Sequence, residues 1–240
     1  MKIDAYLELS GLAALTGALD AADATRFAES ARAHQAALDA LITPESLAAT
    51  PVTWQYRVPE LGEGGACSLF GQLADKPYDL TAILGGRTAE AQRLVAEATR
   101  VVDYYQRHSR SHWFGVYQAR PNVAGEPVLV KLAYFGAESR AEFPLTEDFA
   151  QGSNNSWVGL RGQGRLINDV AAFVAEGGGY YTCDPKVNAE ACLPLFGAGG
   201  RVAGILDSEA FDKQFFAGEE LALVVAVAAT LSGGVLAGRH

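Results

Sequence analysis

With 240 residues, 49% of them hydrophobic and 20% charged, the chain has enough apolar material for a substantial core without disulfide staples. Its formal net charge of −9, from 28 acidic against 19 basic residues, argues against nucleic acid and against anionic membranes, both of which need clustered cations. Three cysteines, an odd number without scaffold spacing, point to free thiols in a reducing cytoplasm. The first fifteen residues carry one lysine followed by Asp4 and Glu8, which is not the pattern of a secretory leader.

In chain order, residues 1 to about 45 read as helix. Phe27, Ala31, His34, Leu38 and Leu41 recur at three- and four-residue steps, and Thr43-Pro44 is expected to close the run. From 46 to 86 the pattern is irregular, broken by Pro51, Pro59, Pro77 and several glycines, with a strand-like alternation only over 52–58. Thr88 is placed to cap a long amphipathic helix whose apolar stripe is Leu94, Val95, Ala98, Val101, Val102 and Tyr105. Two strand-like runs follow, 112–118 and 127–135, separated by the turn-rich spacer PNVAGE. After a looser segment around 152–156, a short helix is expected over 168–175 with Asp169 near its start. The runs ACLPLF and RVAGILD then read as strands joined by the turn GAGG.

The chain closes on an apolar helix carrying Glu219 and Glu220 in its first turn, where the helix dipole favours them. Residues 221–238 hold no charge and are long enough to raise the question of a membrane span. The alanines, the Ser232-Gly233-Gly234 break and the lack of basic or aromatic anchors favour a buried helix. An antiparallel sheet covered by helices is the packing that satisfies these elements, an α+β fold. The expected division is a helical and irregular N-terminal extension over 1–86, followed by a sheet-containing domain over 87–240.

The chemistry-bearing residues concentrate late in the chain. The stretch YYTCDPKVNAEACLPLF, 180–196, holds Cys183 on an apparent loop beside Asp184, and Cys192 inside an apolar strand. Strand alternation puts Glu190 and Cys192 on one face, Asp207 and Glu209 on one face, and Trp113 and Tyr117 on one face. Each group has a plainer reading too. Cys192 suits core packing, Trp113 and Tyr117 suit a core stripe, and Asp207 and Glu209 suit a solvated strand end. Cys67 reads as an incidental thiol. His108 and His112 lie four apart, but the run between them leaves the helix and no third ligand follows at zinc-like spacing, so no metal site is expected. GLRGQG, 159–164, lacks the strand-to-helix context of a phosphate loop and reads as a turn.

Three motifs in this order resemble a known family. Trp113-Phe114-Gly115-Val116-Tyr117 matches W-x-G-x-Y. Cys183-Asp184 is followed by Glu190 seven residues beyond the cysteine, and Gly204-Ile205-Leu206-Asp207-Ser208-Glu209 is similar to G-V-L-D-x-D. Over about 88–236 the chain thus resembles GAF domains, and more narrowly the GAF enzymes that reduce free methionine-(R)-sulfoxide. The resemblance implies a GAF-like antiparallel sheet flanked by helices, with Cys183 as nucleophile and Glu190 as its catalytic partner. Trp113, Tyr117, Asp184, Glu190, Asp207 and Glu209 would form the substrate pocket. It further implies no bound cofactor, an external thioredoxin-like thiol reductant, a homodimer and a cytoplasmic setting. The family's resolving cysteines are missing: Val158 stands where its G-V-C-G turn carries one, and 140–144 holds none. Face parity makes Cys192 the candidate replacement, to be seen as a Cys183–Cys192 disulfide after oxidation. The alternative implied by the same fold is a non-catalytic sensor domain binding a small molecule in the same pocket.

Overall fold

In the computed structural model, which describes residues 1–62, 68–181, 184–234 and 236, the N-terminal run divides into four helices. These are α1 (Ile3–Leu9), α2 (Ala13–Gly17), α3 (Ala21–Leu41) and α4 (Pro44–Ala49). Asp20 opens α3 by accepting hydrogen bonds from the Ala22 and Asp23 amides, satisfying donors that have no partner within the helix. The run does stop at Leu41, but Thr43-Pro44 also begins the next helix. Thr43 accepts from Ser46 N–H, Ser46 Oγ accepts from Thr43 N–H, and Pro44 takes the first helical position, where its missing N–H costs nothing.

The irregular segment supplies four short strands and a helix: β1 (Gln55–Tyr56), β2 (Pro59–Leu61), β3 (Ser68–Leu73), β4 (Tyr78–Asp79) and α5 (Leu80–Leu84). The 52–58 alternation finds its partner here, with Gln55 and Tyr56 of β1 opposite Asp79 and Tyr78 of β4. Thr88 caps α6 (Ala89–His108) as expected, accepting from Ala91 N–H at 3.1 Å.

The second half is built on β5 (Trp113–Pro121), β6 (Pro127–Phe135), β7 (Glu142–Pro144), β8 (Arg165–Ile167), β9 (Ala189–Phe196) and β10 (Val202–Ala210). They form one antiparallel sheet in the order β7-β6-β5-β10-β9-β8. The connections hold α7 (Glu147–Ala150), α8 (Asn154–Arg161) and α9 (Val170–Ala175), and α10 (Gly218–Leu231) ends the series. The α+β arrangement expected from the sequence is therefore present.

Within the sheet-containing part, β7, α7, α8 and β8 were not read from the sequence. The looser segment is the start of α8, which Ser153 caps, and GLRGQG contains the end of that helix, its left-handed terminus at Gly162, and the approach to β8. Each lacks a periodic run long enough to announce itself, because α8 buries polar residues (Asn154, Asn155, Ser156) toward the sheet.

The sheet separates two apolar layers. On one face α6 and α10 pack against the strands, and α3 lies along α10. Alternate residues such as Phe114, Val116, Val130, Leu193 and Leu206 enter this larger core together with Tyr6, Phe27, Ala31 and Leu38 from the N-terminal helices. Tyr6 donates its hydroxyl to the Pro194 carbonyl at 2.9 Å, tying α1 to β9. Placed between sheet, α6 and α3, α10 is buried from Glu220 to Leu231, which accounts for a helix with no polar face. No helix among the described residues is long and apolar enough to cross a membrane. The opposite face of the sheet carries Trp113, Tyr117, Leu129, Phe143, Cys192 and Ile205, roofed by α8 through Val158.

Candidate ligand site

The second face owes its chemistry to strand register. On β9 and β10, Glu190 lies directly opposite Glu209 and Cys192 directly opposite Asp207. On β5, Trp113 is opposite Glu209 and Gly115 opposite Asp207. Paired residues share a face, so two adjacent rungs bring three carboxyls, a thiol and an indole together. Gly115 is the residue that lets the indole lie there. A Cβ added at 115 would sit 2.4 Å from the Trp113 ring. Trp113 donates its ring N–H to the Ala137 carbonyl at 3.0 Å, fixing the indole against the turn after β6.

A cavity of about 20 Å³ lies among these groups, lined by Trp113, Tyr117, Phe143, Tyr181, Glu190, Asp207 and Glu209, with Ser153, Asn154 and Asn155 from the start of α8. That is space for little more than one water, so a ligand of amino-acid size requires the walls to part. A larger cleft of about 790 Å³ opens between β2 and the β6–β7 edge, but it holds none of the motif residues. The chemistry lies in the smaller one.

Burial dominates the electrostatics. Glu190 and Asp207 are 4% and 3% exposed, whereas Glu209, near the strand end, keeps some contact with solvent. Burial raises Glu190, against the easing effect of Tyr180, Asn154, Asp207 and Arg165. Burial, then repulsion from Glu190 and Glu209, pushes Asp207 well above the usual carboxylate range. Glu209 is pushed up to about 8 by burial and by the charges of Glu190 and Asp184, with Lys131 opposing. Three acids crowded into one cavity cannot all ionise independently, so as a group they hold protons to a higher pH than separate carboxylates do. Asp207 accepts from Asn155 Nδ2 at 3.2 Å through one oxygen, while its other oxygen has no hydrogen-bond partner among the described residues. A buried acceptor left so is an attachment point for a donor brought in from outside.

Cys192 is fully buried, and its thiol donates to Asn155 Oδ1 at 3.3 Å. Burial and the neighbouring Asp207 and Glu190 raise it well above the usual thiol range, against the pull of Arg165. Cys183 and Cys67 lie outside the described residues, and so does any pairing of Cys183. Asp184 stands apart from the cavity lining: its carboxylate accepts from Lys186 N–H at 2.9 Å in a turn, and it reaches the site only as a charge felt by Glu209.

Several site residues were not singled out from the sequence. Asn154 and Asn155 arrive through the unread helix α8. Tyr180 and Tyr181 opened the quoted stretch, yet nothing in their spacing marked them. Lys131, fully buried, interrupts the otherwise apolar run PVLVKLAYF, and a charge inside a two-sided apolar strand is the signal that was available.

No protein-family model matches the chain, and no curated protein matches it in sequence. Solved structures do match. A type II free methionine-R-sulfoxide reductase from Thermoplasma acidophilum superposes with a TM-score of 0.50 at 18% identity, covering 62% of this chain and 93% of that one. Free methionine-R-sulfoxide reductase from Neisseria meningitidis, solved with its substrate, gives 0.49 at 18% identity over 58% of this chain and 76% of that one. The GAF domain of an Acinetobacter phosphoenolpyruvate-protein phosphotransferase gives 0.45 at 16% identity over 65% and 86%. At these identities the likeness is one of fold. The chain has a GAF-like fold preceded by a mostly helical N-terminal part.

Proposed function

We propose that this chain binds free methionine-(R)-sulfoxide in the carboxyl-lined cavity and reduces it through Cys183. The supporting observation is the convergence of Trp113, Tyr117, Glu190, Asp207 and Glu209 on one cavity through strand register. In this reading the two aromatic rings wall the methyl and thioether end. The carboxyls take the amino group and the sulfoxide oxygen, with the open Asp207 oxygen as one acceptor. The Cys183 thiolate attacks the sulfoxide sulfur, and the sulfur–oxygen bond of the substrate breaks. The transient bond between Cys183 Sγ and the substrate sulfur then breaks as the protonated oxygen bonds to Sγ, so that methionine leaves as the thioether and Cys183 is left as a sulfenic acid. A carboxyl that has kept its proton, Asp207 or Glu209, supplies that proton to the oxygen as it departs. Two thiols of an external thioredoxin-type reductant then return Cys183 to the thiol, forming their own disulfide and water. Cys192, held protonated against Asn155, is a poor resolving nucleophile in this reading, because the thiolate is the reactive form.

A different observation favours a second reading, a sensor domain that binds a small amphiphile here without turnover: Val158 occupies the place of a resolving cysteine in the resembled enzymes. A thiol-coupled assay separates the two. Turnover of free methionine-(R)-sulfoxide with dithiothreitol, lost in Cys183→Ser and absent with the S-epimer or a peptide-bound sulfoxide, is the expected result. No turnover, together with sulfoxide binding that survives Cys183→Ser, establishes the sensor reading instead.

A further inference from the structure

A fully buried lysine stands at the edge of this acidic cavity. Lys131 lies on β6 opposite Tyr117, next to an irregularity in the β5–β6 pairing. Its ammonium donates to the Ser139 carbonyl at 2.8 Å and to Ser139 Oγ at 2.6 Å. It also lies 3.8 Å from the centre of the Tyr134 ring, 5.1 Å from that of Tyr56 and 5.8 Å from that of Trp113. Burying an ammonium is costly unless such partners replace its water, and a core-filling role would be served better by an apolar side chain. The lysine also reaches two parts of the site at once. Ser139 lines the cavity, and the turn that carries it is the one that receives the Trp113 ring N–H through Ala137.

We propose that Lys131 is a positioning residue of this site: its ammonium braces the Trp113 wall and the 136–139 turn, and its positive charge stands at the Glu209 end of the acidic cavity, beside the Trp113 ring that lies opposite Glu209 in the β5–β10 register. A ligand's cationic group is thereby turned away from the lysine and toward the carboxyls of Glu190 and Asp207, which the half-buried Arg165 of β8 approaches from the other side. The N-terminal extension joins this arrangement, since Tyr56 caps the lysine with its ring and donates its hydroxyl to the Lys131 carbonyl at 2.7 Å.

The charges that face Glu209 are Lys131 from β6, Glu190 from β9, Asp207 two residues back on β10 and Asp184 from the turn before β9, with the Tyr180 hydroxyl beside them. Of these Lys131 alone favours the carboxylate. The meaning of this charge for ligand orientation rests on the reading of this cavity as the binding site, but the charge coupling is measured without any ligand or turnover. In the full chain carrying ¹³C-labelled glutamate side chains, the Glu209 carboxyl resonance, assigned by its loss in Glu209→Gln, is titrated from pH 5 to 10. Lys131→Met is expected to raise its midpoint by about one pH unit or more, the effect of removing an opposite charge at close range. Lys131→Arg is expected to leave the midpoint near that of the unsubstituted chain. An unchanged midpoint in folded Lys131→Met overturns the proposal. Should Lys131→Met not fold, the Lys131 ammonium ¹⁵N resonance decides: it is expected to move with the Glu209 midpoint and to lose that step in Glu209→Gln. A resonance indifferent to Glu209 overturns the proposal as well.

Discussion

Gly115 shows how much of the site rests on a missing side chain. It is the middle residue of Trp113-Phe114-Gly115-Val116-Tyr117, and its absent Cβ is the space the indole occupies. The ring lies flat over its own strand, near Tyr117 and stacked at 6.2 Å on Tyr134. Gly136 leaves a second gap for the same ring: its φ of +104° suits glycine, and a Cβ there would lie 2.7 Å from Trp113 Cδ1. Gly115→Ala therefore forces the indole out of its place. The expected loss of stability is about 1–3 kcal/mol, the usual cost of overpacking a closed core. Urea unfolding measures that loss, and the ligand affinity of the folded variant is expected to fall with it. An alanine variant that unfolds at the same urea concentration and binds sulfoxide unchanged would show that the indole has room elsewhere.

At the scale of elements, α8 is the part that turns a polar sheet face into a site. Its first turn delivers Asn155, whose amide donates to Asp207 while its carbonyl oxygen accepts from Cys192, so a single side chain bridges β9 and β10 from above. Asn155→Ala leaves two buried groups without partners, and the cost is about 2–3 kcal/mol by the penalty for unsatisfied buried polar atoms. The same variant is expected to make Cys192 react faster with iodoacetamide below the unfolding transition, which mass spectrometry of the alkylated peptide reads. This helix is also where the sequence was least legible. Long stripes such as Leu94 to Tyr105 and the β5, β6, β9 and β10 runs announce themselves, because one face of each is apolar over several turns or rungs. Face parity made Asp207 with Glu209, and Glu190 with Cys192, legible as pairs, but that the two pairs meet depends on the β9–β10 register, which the sequence offered only through the resemblance. An eight-residue helix that faces the cavity with Asn154, Asn155 and Ser156 has no such stripe to show. A buried lysine such as Lys131 is satisfied by rings and a carbonyl from four different segments, and these spacings exist only after folding.

For the molecule as a whole, two populations of acids titrate in opposite directions. Exposed caps and ion pairs hold Asp20, Asp79, Asp169 and Glu147 below the usual carboxylate range. Asp20 accepts from backbone amides, Asp79 from the Thr81 and Gln55 side chains, Asp169 from Lys213, and Glu147 from Arg161. A group whose pKa is lowered on folding contributes stability that is present above its unfolded value and lost as the pH falls through the folded one. The buried acids behave in reverse. Glu209, raised from 4.5 to about 8, and Asp207, raised well above 3.8, bind more protons folded than unfolded across the intervening range. Their contribution is complete below the unfolded pKa and declines as the pH climbs toward the folded one. With a net charge of −9, general repulsion also grows with pH and acts in the same sense. The chain is therefore expected to be most stable near pH 4–5, with its urea midpoint falling steadily toward pH 8. Glu209→Gln separates the two causes, because it removes one buried titration while changing the net charge by a single unit. Its midpoint is expected to fall less steeply between pH 5 and 8 than that of the unsubstituted chain. Parallel slopes would assign the decline to surface repulsion and place Glu209 in the ionised state throughout.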